Sequence, residues 1–400
     1  MKWNPEQSRA IDAVAAWLND PHAPQVFRLF GYAGTGKTTL ARHLAAQHTG
    51  VTMFAAYTGK AASVLHERTG VAASTIHSLI YLPVDADMVA LSALRALATV
   101  QPDNHDAREQ LAEAEIECRR PKFRRNEESL LKYASLLVLD EVSMVDEALA
   151  LDLLSFKKKI LVLGDPAQLP PVTGAGYFTA QAPDVLLTTI HRQALDNPII
   201  HVATLARTGK VIAMGDYGTT VRKVSSSKVD ASFYADTSLS GQILCGRNET
   251  RQMLNRTVRE VKSIAHHQFP RAGEQLVCLR NNHGLGLLNG TIWTTHTDAV
   301  HVASRQAVAL HVRQDRTVVY DIIADVAPFK RKDISLNLPR DMAAFDYGYA
   351  ITVHKSQGSQ WDSVTLYDDG FGKRDPLLRR QWLYTAVTRA AKQLNIIVPQ

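Results

Sequence analysis

Val26-Phe27-Arg28-Leu29-Phe30-Gly31-Tyr32-Ala33-Gly34-Thr35-Gly36-Lys37-Thr38 is the stretch on which the reading of this chain turns. Val26 to Phe30 is an apolar run of strand length, broken only by Arg28. Gly31 to Thr38 fits G-x-x-x-x-G-K-[ST], and a helix is expected from Lys37 through Leu44. Such a turn lets backbone N–H groups curl around phosphate oxygens, and the helix that starts there adds its dipole. Lys37 can reach the β- and γ-phosphates of a nucleotide, and the Thr38 hydroxyl can ligate Mg²⁺. A chance glycine turn is the alternative, but strand before and helix after speak against it. Gly34, Thr35, Gly36, Lys37, Thr38 and Thr39 are therefore candidate nucleotide-binding residues.

Working outward, strand and helix alternate. Residues 5–18 read as an amphipathic helix with Ile11, Val14, Ala15 and Leu18 on one face. Residues 51–56 read as a strand, with a helix after Gly59. Leu136–Leu139 and Ile160–Leu163 are two more apolar strands. This rhythm predicts a parallel sheet with helices on its faces. In such a sheet the strand ends gather at one edge, so Asp140-Glu141 would lie near the phosphate loop. Asp140 can then hold the Mg²⁺ shell and Glu141 can polarise an attacking water. A helix N-cap is the other reading of an acidic pair after a strand. Gln168, in Gly164-Asp165-Pro166-Ala167-Gln168-Leu169-Pro170-Pro171, is a neutral donor and acceptor able to sense a γ-phosphate or orient water. The prolines stiffen this loop, which otherwise reads as a plain Pro-rich connection.

Composition bounds the rest. The chain has 400 residues, 46% hydrophobic and 21% charged, which excludes a disordered chain, a collagen-like chain or a coiled-coil rod. Lys plus Arg is 45 against 39 for Asp plus Glu, a net charge of +6. That permits an anionic partner without demanding one. Cys118, Cys245 and Cys278 have no metal-ligand spacing and suggest a reduced, intracellular protein. The N-terminus is not a signal peptide, and no apolar run approaches the ~20 residues of a membrane span.

Two stretches break the α/β rhythm. In residues 84–132, Met88, Leu91, Leu94 and Leu97 form a helical stripe. A charged helical stretch follows to about Cys118, and then a basic run of Arg119, Arg120, Lys122, Arg124 and Arg125 around Phe123. That run reads equally as a strand-guiding patch or a solvated helix end. Residues 274–340 contain short β-branched runs, and Asn289-Gly290 is a hairpin signal. The expected fold is α/β, with two lobes each interrupted by an insertion. The first lobe is expected at 1–83 and 133–175, and the second at 176–273 and 341–400.

The order of these segments resembles a superfamily 1 helicase, and more narrowly the 5′→3′ branch containing RecD and the phage Dda helicase. Further matching segments are Asn4-Pro5-Glu6-Gln7, Ala56–Ala62, Ser74–Ser78, Thr189–Gln193, Ala350–Gly358 and Tyr384–Ala390. The resemblance implies two RecA-like (P-loop NTPase) lobes. It implies a strand-separating helical insertion in the first lobe and an SH3-like insertion in the second. It implies that Gln7 reads adenine, that Gly358 joins the nucleotide site, and that Arg192 and Arg389 bring guanidinium groups to the γ-phosphate. Lys37, Asp140, Glu141, Gln168, Arg192 and Arg389 form the implied catalytic set, with Thr38 and Asp140 on the metal. Thr58, His77, Pro170, Thr352, His354 and Lys355 are the implied nucleic-acid contacts, although His77 also reads as a satisfied core histidine. Tyr81 and Trp361 are stacking platforms or core aromatics.

The function so implied is an ATP- and Mg²⁺-dependent DNA helicase moving 5′→3′ on single-stranded DNA, of minimal, phage-like type. The alternatives are a DNA-stimulated ATPase that displaces bound proteins without efficient unwinding, an RNA helicase, or a scaffold with a vestigial ATP site. Expected partners are single-stranded DNA and duplex junctions, with a single-stranded-DNA-binding, replication or recombination protein. A cytoplasmic monomer, in a bacterium or a phage-infected host, is expected.

Overall fold

The computed structural model describes residues 3–84, 88–101, 104–106, 108–111, 122–171, 176–189, 196–314, 317–332, 334, 338–339 and 342–400. Of the residues named above, Cys118, Arg119, Arg120 and Arg192 lie outside the described residues.

The first lobe is built on β1 (Val26–Gly31), β2 (Thr52–Ala56) and β3 (Ala73–Thr75). A two-stranded ribbon follows, β4 (Tyr81–Val84) with β5 (Lys122–Arg125), before β6 (Leu136–Asp140), β7 (Lys159–Gly164) and β8 (Val185–Leu187). The sheet runs β3-β2-β6-β7-β1-β8, and every pairing in it is parallel. The central strands β6 and β7 are buried on both faces, which explains their continuous apolar runs. Leu136 and Val138 face α1 (Pro5–Asn19), α2 (Lys37–Gln47) and α3 (Gly59–Thr69). Leu137 and Leu139 face the opposite layer, with α4 (Ile76–Ile80). Each such leucine, fully buried, contributes roughly 1.5–3 kcal/mol.

The helix expected at 5–18 is α1, but its inward stripe is Gln7, Ala10, Val14 and Trp17. The stripe expected through Ile11, Ala15 and Leu18 lies one residue off. Gln7 takes an inward place because its amide is satisfied there, donating to the Thr35 carbonyl at 3.0 Å.

The insertion of the first lobe contains α5 (Met88–Val100), as its apolar stripe requires. It is entered and left through the β4–β5 ribbon, in which Leu82 pairs Arg124 and Tyr81 pairs Arg125. The described part of the basic run is therefore strand, not helix end. Two sheet boundaries also move. β8 pairs β1, so the first sheet reaches Leu187 rather than ending at 175. β17 belongs to the inserted β-sheet, which therefore reaches Tyr347 rather than ending at 340.

The second lobe holds β9 (Gly215–Tyr217), β10 (Val221–Ser225) and β11 (Gln242–Cys245). The inserted sheet then runs through β12 (Gln275–Cys278), β13 (Ile292–Thr295), β14 (Val300–Val302), β15 (Ala307–Gln314), β16 (Thr317–Asp325) and β17 (Phe345–Tyr347). The chain returns as β18 (Ala350–Thr352), β19 (Trp361–Tyr367) and β20 (Ala390–Val398). The lobe's sheet order is β18-β11-β19-β20-β10-β9, parallel except at β9. Following α6 (Glu147–Leu154) of the first lobe, α7 (Pro198–Thr208) packs on one face of this second sheet. α8 (Ala231–Ser240) and α9 (Asn248–Val261) cover its other face, and α10 (Pro376–Val387) joins α7. The inserted sheet is antiparallel around its own core of Leu276, Trp293, Val308, Leu310 and Phe345. No helix among the described residues is long and apolar enough to cross a membrane.

Candidate active site

The strand order decides where the polar groups meet. β6, β7 and β1 are parallel neighbours, so Asp140 at the end of β6, Asp165 just beyond β7 and the phosphate loop after β1 share one sheet edge. There they line a cleft of about 520 Å³ between the two lobes. Its walls carry Gly34, Gly36, Lys37, Thr38, Thr39, Asp140, Glu141 and Gln168 from the first lobe. Gly358 and Arg389 line it from the second.

The phosphate loop has the backbone its glycines allow. Gly34 and Gly36 lie at φ +80° and +83°, left-handed conformations that disfavour a side chain. Lys37 Nζ donates to the carbonyls of Gly31 (2.6 Å) and Tyr32 (3.2 Å). The Thr38 hydroxyl donates to Asp140 Oδ2 at 3.2 Å. A hydroxyl and a carboxylate side by side form a hard oxygen pair of the kind Mg²⁺ takes. Burial pushes the Asp140 carboxyl up, the neighbouring Glu141 adds to the shift, and Lys37 opposes it.

Glu141 is held at φ +53°, with its N–H on Asp140 Oδ1 at 2.8 Å. A left-handed glutamate costs about 1–3 kcal/mol, and such strain is found where a fold must aim a group. The Gln168 Oε1 is buried and has no hydrogen-bond partner among the described residues. An orphaned acceptor facing a cleft is what a site for a bound donor leaves behind.

Arg389 is only 5% exposed, and its guanidinium is engaged by its own lobe. It donates to the carbonyls of Thr385 (3.1 Å) and Ser359 (3.1 Å) and to the Thr388 hydroxyl (3.3 Å). Gln7 and Thr35 are buried behind the cleft wall and do not line it. Gln7 ties α1 to the phosphate loop through Thr35, closing a capping box with Asn4. Gly358, at φ +75°, abuts the start of α3. A Cβ there would come within 2.9 Å of Thr58 Oγ1 and of Ala61 Cβ.

The candidate nucleic-acid residues fall along the junction of the lobes and the inserted sheet. Thr58 is the N-cap of α3, accepting from the Ala61 N–H at 3.1 Å. The next residue, Gly59, lies against Leu288. Lys355 Nζ reaches Asn289 Oδ1 at 2.7 Å, and burial holds its pKa below the ordinary value. The Lys355 N–H bonds the Thr352 hydroxyl at 3.3 Å. His354 stands edge-on to Phe371, 5.5 Å between centroids, and burial lowers its pKa. Pro170 is half-buried beside Leu169, whose carbonyl accepts from Gln357 Nε2 at 2.9 Å. His77 sits apart from these in an aromatic group with Tyr57, Tyr81 and Phe123, centroids 5.7–5.9 Å away. Burial lowers its pKa as well, against the pull of Asp146. Tyr81 stacks on Phe123, which is 45% exposed on the ribbon. Trp361, half-buried, lines a second cavity of about 340 Å³ with Lys60, Ile292 and Arg313.

Residues given no role from sequence also meet here. Asp165 is buried, accepts the Tyr384 hydroxyl at 2.6 Å, and burial raises its pKa. Arg68 Nη2 crosses from α3 to Gln360 Oε1 at 2.6 Å. Asp165 follows a parallel strand just as Asp140 does, a signal that could have placed it at the same edge.

The family model described as AAA domain matches residues 2–222, and that described as UvrD-like helicase C-terminal domain matches 347–397. The chain is 29% identical to the ATP-dependent RecD2 DNA helicase of Deinococcus radiodurans, over 96% of this chain and 47% of that protein. It is 25% identical to the ATP-dependent DNA helicase Pif1 of Bdellovibrio bacteriovorus, over 90% of this chain and 81% of that protein. It spans less than half the length of RecD2 and of other curated relatives it matches. Its fold is that of Bacteroides Pif1 bound to single-stranded DNA, with a TM-score of 0.56 at 19% identity over 99% of this chain and 92% of that one.

Proposed function

The chain belongs to the family described as AAA domain, whose model covers more than half of it, and from that premise we propose that it is an ATP-dependent DNA helicase translocating 5′→3′ on single-stranded DNA. The observation that carries this is the single cleft lined by the phosphate loop, Asp140, Glu141 and Gln168 on one side and by Gly358 and Arg389 on the other. A nucleotide held there touches both lobes, so its hydrolysis changes how the lobes meet. The likeness to the ATP-dependent DNA helicases RecD2 and Pif1 supports DNA as the track, and the 5′→3′ direction rests on the resemblance in motif order alone.

Each residue has a share in the reaction. Lys37 exchanges the Gly31 and Tyr32 carbonyls for the β- and γ-phosphates. Glu141 orients the attacking water and receives its proton. Gln168 has a free acceptor for that water. Arg389 stabilises charge on the γ-phosphoryl group, assisted by Arg192. Thr38 and Asp140 would hold Mg²⁺, which would supply neutralising positive charge beside the phosphates. Gln7 acts from behind the cleft wall, fixing the loop through Thr35, and is not placed to read adenine directly. Thr58, His77, Pro170, Thr352, His354 and Lys355 grip the strand by its backbone, which carries no sequence information. The protein works in the cytoplasm, as a monomer on single-stranded DNA and duplex junctions.

The test is ATP hydrolysis with and without a single-stranded DNA oligonucleotide, with Lys37→Ala as control. Strong stimulation by DNA that vanishes in the variant is expected. Stimulation by RNA alone moves the track to RNA, and no hydrolysis under any condition removes the motor.

A further inference from the structure

The phosphate loop is held by the opposite lobe at its tip, at Tyr32 and Ala33, two of the four residues that the G-x-x-x-x-G-K-[ST] pattern leaves free. The Ala33 N–H donates to the Tyr384 hydroxyl at 2.7 Å. The same hydroxyl donates to Asp165 Oδ2 at 2.6 Å. Tyr384 lies on α10 of the second lobe and is 1% exposed. Next to it, the Arg207 guanidinium of α7 lies 3.7 Å above the centre of the Tyr32 ring. Ala33 itself packs against the apolar core of the second lobe.

The anchor extends beyond the tip. Asp165 Oδ1 accepts the Ala167 N–H at 3.0 Å, and its carbonyl accepts the Gln168 N–H at 3.1 Å. The carboxylate that Tyr384 grips is therefore the one that shapes the turn bearing Gln168. One residue on, the Thr385 hydroxyl accepts the Leu169 N–H at 2.9 Å. The Thr385 carbonyl in turn accepts from Arg389 Nε. One turn of α10 thus touches the phosphate loop, the Gln168 turn and Arg389.

We propose that Tyr384, with Arg207, is a positioning latch through which the second lobe registers the phosphate loop against the Gln168 turn, so that phosphate-site occupancy and lobe position are coupled through one phenol. The kinetic consequence rests on the ATP-driven reading above; the latch itself does not. Neither side chain is assigned contact with substrate. A buried phenol with a donor on one side and an acceptor on the other is suited to this, because its removal orphans both partners without changing the packing.

Tyr384→Phe keeps the ring and deletes the hydroxyl. In the nucleotide-free protein, amide exchange of the segment 31–36 is expected to accelerate by about tenfold or more, the scale of losing a buried hydrogen bond, while exchange in β6 and β7 is unchanged. In ATP hydrolysis, the stimulation by single-stranded DNA is expected to fall about tenfold with KM for MgATP shifted less than about threefold, the pattern of lost positioning rather than lost binding. Arg207→Gln leaves the phenol in place and should weaken the coupling in the same direction, with Arg207→Lys restoring part of it by keeping a cation over Tyr32. Wild-type exchange at 31–36 together with wild-type DNA stimulation in Tyr384→Phe overturns the latch. So does a loss of stimulation explained wholly by a raised KM. If the unaltered protein hydrolyses no ATP, the helicase reading fails, and amide exchange still decides the latch. Should Tyr384→Phe fail to fold, the Arg207 pair decides it by the same two readouts.

Discussion

Glu141 shows at a single residue how the site is made. Its left-handed backbone is a local cost that the strand before it and the 3₁₀ turn after it (Val142–Met144) hold in place. Glu141→Gln preserves shape and removes the carboxylate proposed as the base. It is expected to retain nucleotide binding while hydrolysis falls by roughly 10²–10⁴-fold, read as a kcat loss with little change in KM. Equal loss of binding would contradict the role. Gly358→Ala has two penalties, a positive φ and the approach to Thr58 and Ala61. Denaturant titration should show a loss of about 1–2 kcal/mol, the scale of forcing a side chain into the left-handed region. No loss would mean the seam yields easily.

Two residue-scale titrations follow from burial. His77 and His354 have folded-state pKa values below the ordinary 6.5. Above that value both states are neutral and their contribution to stability is full. As pH falls below it the unfolded chain takes up protons first, so stability is lost towards the folded pKa. The melting temperature is expected to fall from about pH 7 to about pH 5, and less steeply in a His77→Gln, His354→Gln double variant. An identical slope in that variant would remove the histidines from the account.

At the scale of elements, α9 is joined to the base of the inserted sheet by a buried ion pair. Arg259 Nε meets Glu274 Oε1 at 2.8 Å, with the two side chains 9% and 1% exposed. The guanidinium also lies 4.1 Å from the centre of the Tyr347 ring. Removing one partner leaves a buried charge alone, so Glu274→Ala should cost about 3–5 kcal/mol by denaturant unfolding. Arg259→Met with Glu274→Leu should recover most of it; a double variant as damaged as the single one would contradict this reading. Elements whose pattern is local were legible in the sequence: β1, the phosphate loop, α2 and β6 each carry their signal within a dozen residues. The inward face of α1 was misplaced by one residue because a glutamine, not an aliphatic residue, occupies it. The β4–β5 ribbon was not legible, since its two short strands lie some forty residues apart in sequence and a run such as Lys122–Arg125 has no apolar alternation.

At the scale of the whole molecule, the lobes meet through contacts that periodicity cannot express. Ala33 and Tyr384 are 351 residues apart, and Tyr384 and Asp165 are 219 apart. Motif order indicated that such segments meet in one cleft, and the parallel order β6-β7-β1 accounts physically for the first-lobe half of it. What the motifs could not express is how these groups are tied to one another. Lys37 bonds its own loop, Arg389 bonds its own lobe, and Tyr384 spans the gap. On the proposed function, Lys37 and Arg389 exchange these partners for the phosphates. Directional unwinding is tested most directly by strand displacement on a duplex with a 5′ single-stranded tail against one with a 3′ tail, with MgATP and with Lys37→Ala as control. ATP-dependent unwinding of the 5′-tailed substrate, absent in the variant, is expected. Unwinding of the 3′-tailed substrate alone, or of neither substrate while DNA-stimulated hydrolysis persists, would contradict it.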